Sequence, residues 1–261
     1  MPTMPTLPVV FFGHGNPMNA IRPNAWTDAW RELGAAIPKP RAIVCVSAHW
    51  YIPATAVTAM ARPRTIHDFG GFPDELFAVE YPAPGDPALA ARVRDLLAPT
   101  AVALDDGEWG LDHGAWSVLV HAYPAADVPV IQLAIDRRQP GAFHYQLGRR
   151  LAPLRDDGVL VVGSGDIVHN LRRYAWDRAA VRPFDWGERF EADVRARILA
   201  RDHAPLAAYT ELPDAALAVP TPDHYLPLLY VLGASRDGDP IRFFADGFDG
   251  GSVSMLGVQL G

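Results

Sequence analysis

Three short apolar runs, each ending on small residues and then a histidine, constrain this chain most. They are Pro8-Val-Val-Phe-Phe12 before Gly13-His14-Gly15, Ala42-Ile-Val-Cys-Val46 before Ser47-Ala48-His49, and Val159-Leu-Val-Val162 before Gly163-Ser-Gly-Asp-Ile-Val-His169-Asn170. Their apolar character is continuous rather than alternating, which predicts strands covered on both faces. Val130 to Ile135 reads as a fourth such strand and Ser252 to Val258 as a last one. Helical stretches lie between them: Asn24 to Ala36, Pro87 to Leu97, Gly114 to Ala122, Ala142 to Leu154 and Trp186 to Arg201. Asp86 is placed to cap the second of these, with proline at its first position. Thr221-Pro222-Asp223-His224 predicts a further helix, capped by Thr221 and running towards Leu232. Strands alternating with helices predict an α/β fold, a single domain over residues 1–261 with a largely parallel central sheet covered by helices. The Pro/Gly-rich stretches Asp68 to Pro73 and Tyr81 to Asp86 are too short for linkers and predict ordered loops that can wall a pocket.

Composition narrows the function. With 49% hydrophobic and 20% charged residues the chain reads as globular. A formal charge of -7, with no basic run, argues against nucleic acid. The lone Cys45 excludes an intrachain disulfide, and its place in an apolar run predicts a buried core thiol. The first residues lack a signal pattern and no stretch reaches the length of a membrane span, so the expected location is the cytoplasm.

In open α/β sheets ligands bind beyond the carboxyl ends of the strands. His14, His49 and His169 fall at or just past three such ends, so folding can bring them to one edge and make a metal site there. Gly13, Gly15, Ala48 and Gly165 leave space for an ion. His224 can join if its helix points at the same edge. Spacing alone does not demand a metal, since no His-x-x-x-His or Cys-x-x-Cys pattern occurs. His113 reads first as a turn or helix-start residue. His67, among aromatics and glycines, suits a substrate wall or a packed surface loop. His121, His144 and His203, within or beside helical stretches, read as structural or solvated. Gly163-Ser-Gly-Asp lacks the Lys-Ser/Thr ending of a phosphate loop, and Ser164 has no nucleophile-elbow frame. Asp105, Asp106 and Glu108 read as a solvated acidic face.

Several blocks, in order over nearly the whole chain, resemble a known family. They are Phe12-Gly-His-Gly-Asn-Pro-Met18, Val46-Ser-Ala-His-Trp-Tyr51, Thr65-Ile-His-Asp-Phe-Gly-Gly-Phe-Pro73, Trp109-Gly-Leu-Asp-His-Gly-Ala-Trp116, Gly163-Ser-Gly-Asp-Ile-Val-His-Asn170 and Val219-Pro-Thr-Pro-Asp-His-Tyr225. Through them the chain is similar to the DODA-type extradiol aromatic ring-opening dioxygenases of the class III extradiol superfamily, in particular the bacterial 4,5-DOPA dioxygenase extradiol group. The resemblance implies one divalent metal held by His14, His49 and His224, with His169 as a fourth ligand or as the acid/base beside the metal. It also makes His113 a residue that supports the metal ligands or contacts the substrate. Fe(II) is expected for turnover, because ring cleavage by O2 calls for a redox-active ion. Zn(II) suits the same imidazoles and is an expected occupant.

The reaction so implied takes a catechol such as DOPA and inserts both atoms of O2 beside the diol, giving a ring-opened semialdehyde. His169 would move the catechol proton and His113 would hydrogen-bond substrate, while Trp50, Phe69, Phe72 and the His67 loop would wall the ring. Arg62, Arg64 or Arg137 can pair with a substrate carboxylate, although most such arginines are simply surface charges. Two alternatives stand beside it: a zinc-dependent hydrolase using the same cluster to activate water, and a non-catalytic metal-binding interaction protein.

Overall fold

The computed structural model describes residues 5–176 and 181–261. Its strands are β1 (Val9–Gly13), β2 (Ala42–Ile52), β3 (Thr55–Thr58), β4 (Val102–Asp105), β5 (Val130–Asp136), β6 (Val159–Gly165), β7 (Ile241–Phe244), β8 (Phe248–Asp249), β9 (Val253–Ser254) and β10 (Gly257–Leu260). Its helices are α1 (Ala25–Ala36), α2 (Asp74–Phe77), α3 (Pro87–Leu96), α4 (His113–Ala122), α5 (Gly141–Leu151), α6 (Asp185–Ala200), α7 (His203–Ala207), α8 (Ala215–Ala218) and α9 (Leu226–Ala234).

The main sheet runs β4-β3-β5-β2-β6-β1-β10-β7. The central strands β5, β2, β6 and β1 are mutually parallel, and they are the apolar runs of the sequence. Every residue of β1, β5 and β6 is buried, as the continuous runs require. Side chains alternate between two cores. Val9, Phe11, Val44 and Val46 meet α3, α5, α6 and α9 on one face. Val10, Phe12, Ile43 and Cys45 meet α1 and α4 on the other. The outer pairs β5–β3, β1–β10 and β10–β7 are antiparallel, so the sheet is parallel where it is covered and mixed at its margins.

Local signals act as their chemistry predicts at two helix starts. Asn24 accepts from the backbone of Trp26 and Thr27 at the head of α1, and Asp86 accepts from Leu89 N at the head of α3. Elsewhere the structure differs. Ser252 to Val258 is not one strand: β9 turns back on β8, and Met255 then donates to Gly247 O as the chain crosses the end of β1. The last helix begins at Leu226 rather than at Thr221. Pro222 O accepts from both Tyr225 N and Leu226 N, so residues 221–225 form a tight turn ahead of α9. No helix among the described residues is long and apolar enough to cross a membrane.

Candidate metal centre

Strand order gathers the histidines. β1 and β6 end side by side at Gly13 and Gly165, which puts His14 and Asp166 at adjacent chain exits. β2 pairs with β6 only as far as Ser47–Ser164 and then runs on to Ile52, where Tyr51 and Ile52 pair with β5. His49 therefore lies within β2, past the end of its neighbour, and not after the strand as its sequence suggests. His224 reaches the same edge from the turn before α9. Glycine makes that approach possible: a Cβ on Gly165 would lie 2.1 Å from His224 O.

Hydrogen bonds fix which nitrogen each ring offers. Ser164 donates its hydroxyl to Gly114 O, so its oxygen accepts from His14 Nδ1 at 3.0 Å. Asp68 Oδ2 lies 3.2 Å from His49 Nδ1, and Asp223 Oδ2 accepts from His224 Nδ1. All three Nδ1 positions are committed as donors, so every Nε2 is left with a lone pair. His14 Nε2 and His49 Nε2 face one another at 3.2 Å. A ligand atom from each of His14, His49 and His224 lies within 4.8 Å of the others. Lone pairs so close repel unless a proton or a cation stands between them. A shell that orients imidazoles through Nδ1 while Nε2 converges is the arrangement metal-binding histidines use, so the donor set fits a divalent ion.

The electrostatics agree. Burial, then the neighbouring histidines, holds His14 well below the usual imidazole range, and burial likewise lowers His224 and His113. Burial followed by His224, stacked 3.5 Å away, lowers His169. These rings are neutral near pH 7, the form that binds metal. Burial also works against charge on His49, but its bond to Asp68 and the Asp112 and Asp68 charges outweigh it and raise the ring. Asp68 and Asp223, despite burial, are held below the usual carboxylate range by their histidine partners.

One cavity is lined by His14, His49, His113, His169 and His224, with Phe69, Phe72, Leu171, Tyr174 and Trp176 as apolar walls. Asp68 Oδ1 accepts from both the backbone N and Nδ1 of His113 at 2.9 Å, leaving His113 Nε2 for the cavity. Two expected wall residues stand elsewhere. Trp50 points to the opposite face of β2 from His49, as alternation dictates, and stacks on Trp109 at 5.7 Å. His67 bonds Val79 O at 2.9 Å and packs behind Phe69, so it backs the wall without lining it. Arg62, Arg64 and Arg137 do not line the cavity, and Arg64 bonds Glu108 O. Cys45 is fully buried in the core, and burial pushes its thiol up.

Sequence reasoning missed the groups that hold the imidazoles: Asp68, Asp223, Ser164 and Asp112. Asp112 accepts from Ser47 Oγ at 2.6 Å and from Gln132 Nε2 at 2.7 Å, tying β2, β5 and α4 together beneath His49. Adjacent Asp-His pairs at 112–113 and 223–224 were the available signal. The histidines that Asp68 serves, however, are known only from the fold.

Residues 16–248 match the family of the catalytic LigB subunit of aromatic ring-opening dioxygenase. The chain belongs to that family of oxygenases. It is 49% identical over 98% of its length to the 4,5-DOPA dioxygenase extradiol of Escherichia coli K12, covering 95% of that protein. It is 38% identical over 94% of its length to the 4,5-DOPA dioxygenase extradiol of Beta vulgaris, covering 92% of it. The crystal structure of an uncharacterized Escherichia coli K12 protein superposes with a TM-score of 0.86 at 45% identity, covering 98% of this chain and 100% of that one.

Proposed function

We propose that the protein is an extradiol dioxygenase that opens a catechol ring, using one divalent ion held by His14, His49 and His224. The observation that carries this reading is the convergence of three Nε2 lone pairs whose Nδ1 partners are Ser164, Asp68 and Asp223. Neutral imidazoles suit both Fe(II) and Zn(II), and Fe(II) is the ion for turnover. When bound, such an ion supplies the acidity that ionises a catechol and the electron transfer to O2 that no side chain here can provide.

The remaining work falls to the chain itself. A ring nitrogen of neutral His169 takes the catechol proton and later returns it. His113, its Nδ1 donating to Asp68, presents Nε2 as an acceptor to a substrate hydroxyl and orients the ring. Phe69 and Phe72 pack against the aromatic face, and with Leu171, Tyr174 and Trp176 they keep water from the reacting carbons. The bond broken lies beside the diol, and both oxygen atoms of O2 enter the product. These apolar walls favour an aromatic substrate over the water-activating hydrolase chemistry that the same imidazoles could support. DOPA, named by the relatives, is the first substrate to try. The test is turnover of Fe(II)-loaded protein with a catechol under oxygen-18 gas, trapping the aldehyde with borohydride. Two labelled atoms in the ring-opened product are expected. Label from water alone, or cleavage of esters without oxygen use, would favour the hydrolase.

A further inference from the structure

The steps above leave Asp166 without a role, although it borders the centre. Its side chain is fully buried. Oδ1 accepts from Gly15 N at 3.0 Å, and its backbone N donates to His224 O at 2.9 Å, so the turns carrying His14 and His224 both hold it. Oδ2 is different. It has no hydrogen-bond partner among the described residues, and it lies 3.6 Å from His14 Nε2. Ligand atoms of Asp166, His169 and His224 also lie within 4.8 Å of one another.

A buried carboxylate oxygen without a donor is strongly unfavourable. Two of its near neighbours cannot donate, because His14 and His224 both spend their ring proton on Nδ1 partners and turn lone pairs inward. The acceptors of His14, His224 and Asp166 therefore face one another around one small space, a conflict that a cation resolves. We propose that Asp166 Oδ2 is an additional, anionic donor to the ion held by His14, His49 and His224, a proposal that rests on those histidines holding an ion at all. Its negative charge lowers the net charge of the loaded site from 2+ to 1+. It also shifts an all-imidazole set towards the mixed imidazole and carboxylate donors that suit non-haem Fe(II).

Co(II), whose visible bands report its donors, is the probe. Wild-type protein, Asp166→Asn and Asp166→Ala are titrated anaerobically and competed against a chromogenic chelator, with folding checked by circular dichroism. Asparagine keeps the size and the acceptor for Gly15, and it mimics a carboxyl that is merely protonated. The expected result is Co(II) bands that shift in position and intensity in the variants, with affinity reduced roughly tenfold or more. Formate added to Asp166→Ala is expected to move the bands back. Bands unchanged from wild type in whichever variant folds overturn the assignment of Asp166, whatever the affinity, and leave the histidine centre standing. A wild-type protein that binds no Co(II) removes the centre itself, and this assignment with it.

Discussion

One carboxylate, Asp68, serves two rings: its oxygens lie 3.2 Å from His49 Nδ1 and 2.9 Å from His113 Nδ1. Because both oxygens accept, both rings keep their proton on Nδ1 and direct Nε2 inward. An amide at this position has one acceptor and one donor, so one ring must take the other tautomer and lose its inward lone pair. Asp68→Asn is therefore expected to weaken metal binding on the order of 10- to 100-fold with an unchanged far-ultraviolet spectrum, measured by chelator competition. Wild-type affinity in that variant would mean that the tautomers are not set here. His169 poses a different question, since its ring is stacked on His224 and, among the described residues, no carboxylate accepts a hydrogen bond from it. If it carries the catechol proton, His169→Ala lowers kcat roughly 10²- to 10⁴-fold while bound metal and KM change little. Loss of the metal instead would make it a ligand.

At the scale of elements, α9 decides where His224 stands. The helix is buried on every side and presses its leading turn onto β6, where Gly163 and Gly165 have no Cβ to obstruct Pro227 O and His224 O. Gly165→Ala forces the turn away from β6 and is expected to destabilise the fold by about 1–3 kcal/mol, with poorer metal retention than wild type. Gly70→Ala, where an added Cβ meets nothing within 4 Å, serves as the control and should leave both unchanged. Urea unfolding and metal analysis of the two variants decide it. The sequence was legible where local chemistry settles the element: the cap Asp86, the helical stretch that starts at Asn24, and the buried runs of the central strands. It was silent on β3, β4 and β7, which are four residues each at the margins and depend on pairing rather than on pattern. It misplaced the start of α9 because Thr221-Pro222 has the composition of a helix start, while the tertiary approach to Gly165 holds residues 221–225 in a turn.

At the scale of the molecule, the parallel order β5-β2-β6-β1 made the histidines readable as one group, since parallel strands share a carboxyl edge. The carboxylates and hydroxyls that orient them were not readable, because Asp68 meets His113 and Ser164 meets His14 only after folding. Stability should carry its own pH signature. Burial lowers His144 from 6.5 to about 4, so this ring is neutral in the fold and binds a proton more readily when unfolded. Its contribution is complete above the unfolded value and is lost as pH falls towards the folded one. Between about pH 7 and about pH 4 the metal-free wild type should therefore lose about 3 kcal/mol more than His144→Gln, read from urea unfolding with chelator present. An equal loss in both proteins would assign the acid sensitivity elsewhere. The most direct test of the centre and its chemistry together is an oxygen electrode on protein reconstituted anaerobically with Fe(II). Oxygen uptake matching the catechol consumed, abolished in folded His14→Ala and His49→Ala, is the predicted result. Folded wild-type protein that holds Fe(II) yet consumes no oxygen across a panel of catechols would contradict it.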